Sequence, residues 1–359
     1  GTAALAALPR VLAVGGLGED SEDFDRFRAV EMLDLSTLRW SSGAVPALPH
    51  ALHMHSACAF GDGRVVVAGG DEDEEEPYLQ TSSQWTPGDS SWTRVPVLMQ
   101  EREYSAAVAL PDGRAMVIGG QQSPVGHDAN LNPTSEVLAA DGSAWSALAP
   151  CQARNGAAAT ALPCGKVLVA GGYGCPRGEQ QWWKEQVLNT AELWDPATGA
   201  WSDLPPMAEY RKDAGACVLP SGRVAVVGGY DEGRRGKRGA SEAFDRVEQT
   251  WHPLPPMAHA RAGHGLVAVA GGMLAVGGTL KDGAPNELFD EASGRWFKLP
   301  HPMAHPRLTT CAVSLPAAAA RKAARQARTM ALAACAAQVR DIGPLSAEEK
   351  ARFEQEAGW

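Results

Sequence analysis

Val167-Leu168-Val169-Ala170 runs straight into Gly171-Gly172, and the same figure, a short apolar strand closed by a glycine pair, occurs six times along the chain. The second glycines stand at 16, 70, 120, 172, 229 and 278, a period of about 50 residues. A unit of that size cannot bury its apolar face alone, so neighbouring copies must stack and share a core. The feature therefore restricts most of the 359 residues to one repeat architecture.

One copy, 154–206, shows the unit. Arg154 to Leu162 is a small-residue strand, Pro163-Cys164-Gly165 a tight turn, and Lys166 to Ala170 a second, hydrophobic strand. Gly171-Gly172 lets the chain bend where a Cβ would clash. A variable insertion follows; a third strand then carries Glu192 and Trp194, and Trp201 opens a fourth. Glu31, Glu136, Glu192, Glu242 and Glu287 each precede a tryptophan (Trp40, Trp145, Trp201, Trp251, Trp296) by nine residues, and Ser83 takes that place before Trp92. Arg102, Arg154, Arg211, Arg261 and Arg307 open the first strands, with Leu52 in that slot in the second copy. A fixed hairpin with an elastic loop before it is what a rigid unit with variable surface loops requires.

A Gly-Gly pair closing a hydrophobic strand, an acidic position, a bulky apolar residue, a Trp, then Pro-Met and Arg: these residues resemble the kelch repeat over about residues 9–316. The resemblance implies an all-β fold, a six-bladed β-propeller of four-stranded antiparallel blades. Closure is expected from the C-terminal strand 307–315, which completes the first blade beside Arg10–Gly16 and leaves no open edge; Ala3–Leu8 is the competing candidate. The blades read as 10–48 plus 307–315, 52–98, 102–150, 154–206, 211–257 and 261–303, within a propeller domain of 1–316. Leu52 and Ser83 make the second blade the least regular. Residues 317–359 read as an Ala/Arg-rich helical tail, with a stripe through Arg321, Leu332 and Ile342 and a short last helix over 347–357.

The formal net charge of −10 argues against duplex nucleic acid as a partner, no apolar run is long enough to span a membrane, and seven cysteines without a C-x-x-C pair suit a reduced, cytoplasmic protein. The start, Gly1-Thr2-Ala3, lacks an initiating Met, which predicts a piece of a longer chain.

In such a blade the second-to-third strand loops and the inter-blade loops emerge on one face, where binding is expected. Arg102, Arg154, Arg211, Arg261 and Arg307, with Tyr104 beside the Arg102 slot, are the candidate contacts there. The kelch resemblance implies that such a rim binds an acidic peptide segment of a protein partner; the competing reading pairs each Arg with a neighbouring blade's carboxylate or backbone. Trp182-Trp183, in an otherwise polar insertion, is either a partner contact or a lid on its own blade. The acidic run 71–76 and the basic run 234–238 are either opposed poles of that face or solvated loops. His53 and His55 suggest a metal site less well than a structural role, since His55 and His264 both stand three residues after the Arg slot. No cofactor, metal or catalytic residue is assigned. The expected function is a non-catalytic protein-interaction module, a scaffold or ubiquitin-ligase substrate receptor. The alternative is an enzyme acting on a small sugar or sugar acid with Arg261, His264 and Arg307.

Overall fold

The computed structural model describes residues 9–18, 27–71, 80–122, 131–176, 184–231, 236–237, 239–278 and 284–316. Six four-stranded antiparallel sheets stand as blades around an axis. In the fourth blade the strands run, from axis to rim, Ala158–Ala161, Val167–Ala170, Ala191–Asp195 and Ala200–Leu204. Each second strand is buried at all its core positions because both faces of a blade are covered. Val167 and Val169 pack toward the third blade, with Val108 and Ile118, whereas Leu168 and Ala170 pack toward the fifth, with Val224 and Val226. Six such clusters lie between adjacent blades. That two-sided burial is why these strands read as continuous apolar runs rather than alternating ones.

The glycine pairs are explained by the next blade. Gly171 has φ +69, and a Cβ there would stand 2.2 Å from the Arg211 carbonyl oxygen. Gly172 donates its N–H to that same oxygen at 2.8 Å. The bond recurs from Gly16 to Leu52, Gly70 to Arg102, Gly120 to Arg154, Gly229 to Arg261 and Gly278 to Arg307, so one backbone bond ties every blade to its successor.

The expected closure and tail need correction. The C-terminal strand is Cys311–Leu315, which pairs with Arg10–Val14, and not 307–315. Residues 307–310 are absorbed by a turn through Thr309 at φ 46 and by a bridge from Leu308 to Leu17. Among the described residues no sheet is closed on itself by hydrogen bonds; each blade stays an open four-stranded sheet, joined to the next by side-chain packing and by the glycine N–H bond. No α-helix occurs among the described residues, and the helical tail expected over 317–359 lies outside them, as does Ala3–Leu8. Two short hairpins extend the insertion face, Tyr173–Gly174 with Gln186–Val187 and Tyr230–Asp231 with Gly236–Lys237.

Candidate interaction site at the axial mouth

Arg102, Arg154, Arg211, Arg261 and Arg307 are all fully buried. They form no rim, which corrects the expectation that they contact a partner. Arg102 donates from Nε and Nη2 to Glu136 Oε1 at 2.9 and 2.8 Å, and from Nη1 to the carbonyls of Gly119 and Thr134 at 2.8 and 2.9 Å. Glu136 also accepts the backbone N–H groups of Met99 and Gln100, in the linker arriving from the previous blade. Arg154–Glu192, Arg211–Glu242, Arg261–Glu287 and Arg307–Glu31 repeat the arrangement. The carboxylate belongs to the Arg's own blade, not to its neighbour, and the pair fastens the incoming linker. Burial pushes the Arg102, Arg261 and Arg307 guanidiniums below their ordinary value, and their glutamates push back.

The second blade lacks this clamp as a unit. Where its copies hold Arg and Glu it has Leu52, which is buried, and Ser83. Its incoming linker has Pro49 where the fifth blade has Ala208, whose N–H donates to Glu242. Cation, anion and one N–H donor are missing together, so no buried charge is stranded.

Two residues after each Arg slot the backbone turns left-handed: Met54 (φ 55), Tyr104 (52), Gly156 (58), Asp213 (56), Gly263 (64) and Thr309 (46). These six positions ring the axis on the insertion face. Tyr104 donates its N–H to Met54 O, Gly156 to Tyr104 O, Asp213 to Gly156 O and Gly263 to Asp213 O, at 2.7 to 2.9 Å, and Thr310 continues to Gly263 O at 3.3 Å. Gly156, Gly263 and Asp213 carried a signal for this turn in their residue types; Met54, Tyr104 and Thr309 carried none.

The ring surrounds a cavity of about 100 Å³ lined by its six members together with His55, Ser105 and His264. Asp213 sends its carboxyl over Gly156, with Oδ1 2.5 Å from where a Cβ would be. Burial pushes that carboxyl up to about 6, with Lys212 opposing. Burial also raises the Tyr104 hydroxyl, helped by the negative charges of Asp213, Glu103 and Asp71. His55 and His264 are wedges between blades, with Cε1 atoms 2.7 Å from the Cβ positions of Gly15 and Gly228. Burial lowers His55 to about 4, so it is neutral and structural. Among the described residues no group of three or more His, Cys, Asp or Glu is placed to hold a metal. Arg261 and Arg307, invoked for a sugar-acid site, are held by Glu287 and Glu31 and do not line the cavity.

A family model for the Kelch motif matches residues 154–208, the span of the fourth blade and its exit linker. The fourth blade is thus similar to a Kelch motif, and six four-stranded blades of its kind make the described body a β-propeller. No characterised protein matches the chain in a sequence comparison.

Outside the inner ring, the propeller carries further polar side chains on the same face. Gln121 donates to Glu103 Oε1 at 2.6 Å and Asn155 donates to Gln121 Oε1 at 2.5 Å, linking the third and fourth blades. Lys212 lies 5.0 Å from the Tyr173 ring centre and 5.7 Å from that of Tyr230. Trp182 and Trp183 lie outside the described residues, as do 72–76 of the acidic run and 234–235 and 238 of the basic run. The larger cavity, about 480 Å³, opens on the opposite face between the turns of the second, third and fourth blades. Its Arg64 is engaged by the Gly113 and Ala140 carbonyls and stacks 4.0 Å over Phe60.

Proposed function

We propose that this kelch propeller is a non-catalytic interaction module that binds a protein partner on the insertion face, around the axial mouth. The observation that carries the reading is the ring of six left-handed residues, which brings the polar side chains of Tyr104 and Asp213 to the axis on the face where every variable insertion emerges. The mouth is too small for chemistry on a sugar: about 100 Å³ is well below the roughly 300–1,000 Å³ of ordinary small-molecule pockets. With Arg102, Arg154, Arg211, Arg261 and Arg307 engaged inside the blades, they offer no rim to an acidic peptide segment, and the carboxylates near Tyr104 favour a basic partner segment at the mouth instead. Trp182 and Trp183, in the fourth insertion, are proposed as flanking contacts.

The test is affinity capture with the full chain, compared with Tyr104→Ala, with Trp182→Ala/Trp183→Ala and with a control on the opposite face, Asp62→Ala. Loss of the same captured protein in the first two variants but not in the control supports the reading. Retention in both insertion-face variants overturns it.

A further inference from the structure

The Asp213 carboxylate accepts no hydrogen bond from the described residues, and the Lys212 charge is the one that acts on it. It stands in the axial cavity and still touches solvent. The cation next to it in sequence, Lys212, is drawn outward, over the rings of Tyr173 and Tyr230. A mostly buried carboxylate without a hydrogen bond is destabilising, since burial disfavours its charged form. Thr309 adds a second unmatched group, a buried hydroxyl oxygen with no hydrogen-bond partner among the described residues. Tyr104 lines the same cavity, and the Asp213 charge acts on its hydroxyl. Asp213, Thr309 and Tyr104 thus line one space of about 100 Å³, room for roughly three water-sized groups.

We propose that this cavity receives the ammonium group of a lysine side chain presented by the partner, with Asp213 as its counter-ion and Thr309 and Tyr104 as the remaining acceptors. An ammonium has three N–H donors, which matches three acceptors around a small space; the planar, five-donor guanidinium of arginine is broader and needs a forked site. Asp71 and Glu103, which add negative potential beside Tyr104, steer a cation toward the mouth. The nearby histidines do not compete for the role: burial holds His55 neutral, and His264 is wedged over Gly228. The inference rests on the insertion face being the docking face, but its test needs no partner.

Thermal unfolding is followed with Nα-acetyl-lysine-N-methylamide as the probe, the Nε-acetylated compound as neutral control, and potassium chloride at equal ionic strength. The probe is expected to raise the unfolding midpoint of the wild-type chain by at least about 1 °C beyond either control. That difference is expected to vanish in Asp213→Asn, and in Asp213→Ser should the amide variant not fold. An equal response from wild type and Asp213→Asn, an equal effect of potassium chloride, or no effect of the probe would each overturn the proposal. In those cases the capture experiment above still stands or falls separately, because it reads the face and not the pocket.

Discussion

Arg307 donates from Nη2 to Glu31 Oε1 at 2.5 Å, joining the last described blade element to the first across 276 residues. Both side chains are buried, and Glu31 also accepts the N–H of Ala304 at 2.8 Å. The pair lies at the seam of the ring, beside the strand Cys311–Leu315 that completes the first blade. Arg307→Leu alone strands a buried carboxylate and is expected to cost about 3–5 kcal/mol. The second blade indicates how to lose the pair safely. Arg307→Leu with Glu31→Ser, which copies Leu52 and Ser83, is expected to recover at least about 1 kcal/mol of the single loss. Denaturant unfolding of the three chains measures it, and a double variant no more stable than Arg307→Leu contradicts the pairing argument.

Gly171 and Gly199 have nearly the same backbone, φ +69 and φ +68, but different surroundings. A Cβ on Gly171 meets the Arg211 carbonyl at 2.2 Å, whereas a Cβ on Gly199 meets nothing within 4 Å. Gly199→Ala is expected to cost about 1–2 kcal/mol for the left-handed conformation alone. Gly171→Ala adds a main-chain clash and a displaced inter-blade bond, and is expected to lose several kcal/mol more, on the order of 4 or above. Equal losses in a denaturant titration would show that conformation, and not the neighbouring blade, demands the glycine pair.

Asp213 and His55 give opposite pH dependences. The Asp213 carboxyl is raised to about 6 from 3.8, so the folded chain binds the extra proton in that window and stability falls as pH rises from about 4 to 6. The His55 imidazole is lowered to about 4 from 6.5, so the unfolded chain binds the extra proton and stability rises over much the same window. Asp213→Asn removes the first effect. It is expected to be more stable than wild type at pH 7 by on the order of 1–3 kcal/mol, discounted for the carboxyl's contact with solvent, and to lose that advantage by pH 4. Between pH 4 and 6 its stability is expected to climb more steeply than that of wild type. Parallel pH profiles would contradict the assignment.

The repeat tryptophans differ at the seam. Trp251 donates from Nε1 to the Pro205 carbonyl at 2.7 Å, tying its blade to the preceding exit linker, and Trp92, Trp145, Trp201 and Trp296 do likewise. Trp40 has a buried Nε1 with no partner among the described residues. Trp251→Phe is expected to cost about 1 kcal/mol for the bond in addition to lost contact area, whereas Trp40→Phe relieves an unsatisfied donor and is expected to cost less. Thermal unfolding of the two variants side by side tests the difference.

The blades were legible because their chemistry is local. The glycine pairs end each second strand, and the nine-residue spacing from Glu to Trp fixes the outer hairpin, so strand existence and order follow from the period. The arginines were visible as positions and misleading as contacts. Arg154 and Glu192 meet across 38 residues, and only the pairing of Val167–Ala170 with Ala191–Asp195 brings Glu192 beside the buried guanidinium. The axial ring was not legible, since Tyr104 and Thr309 adopt the left-handed turn without being residues that favour it. Asp213 carried a hint in its type, but the burial of its carboxyl at the axis is a property of six blades assembled.

Hydrogen exchange of the chain with and without a captured partner tests the binding face most directly. The amides of 54–56, 103–105, 155–157 and 212–214, around the axial mouth, are expected to gain protection in the complex, while the turns at 61–64, 111–114 and 163–166 on the opposite face do not change. Protection confined to those turns, with the mouth unaltered, would contradict an interaction site on the insertion face.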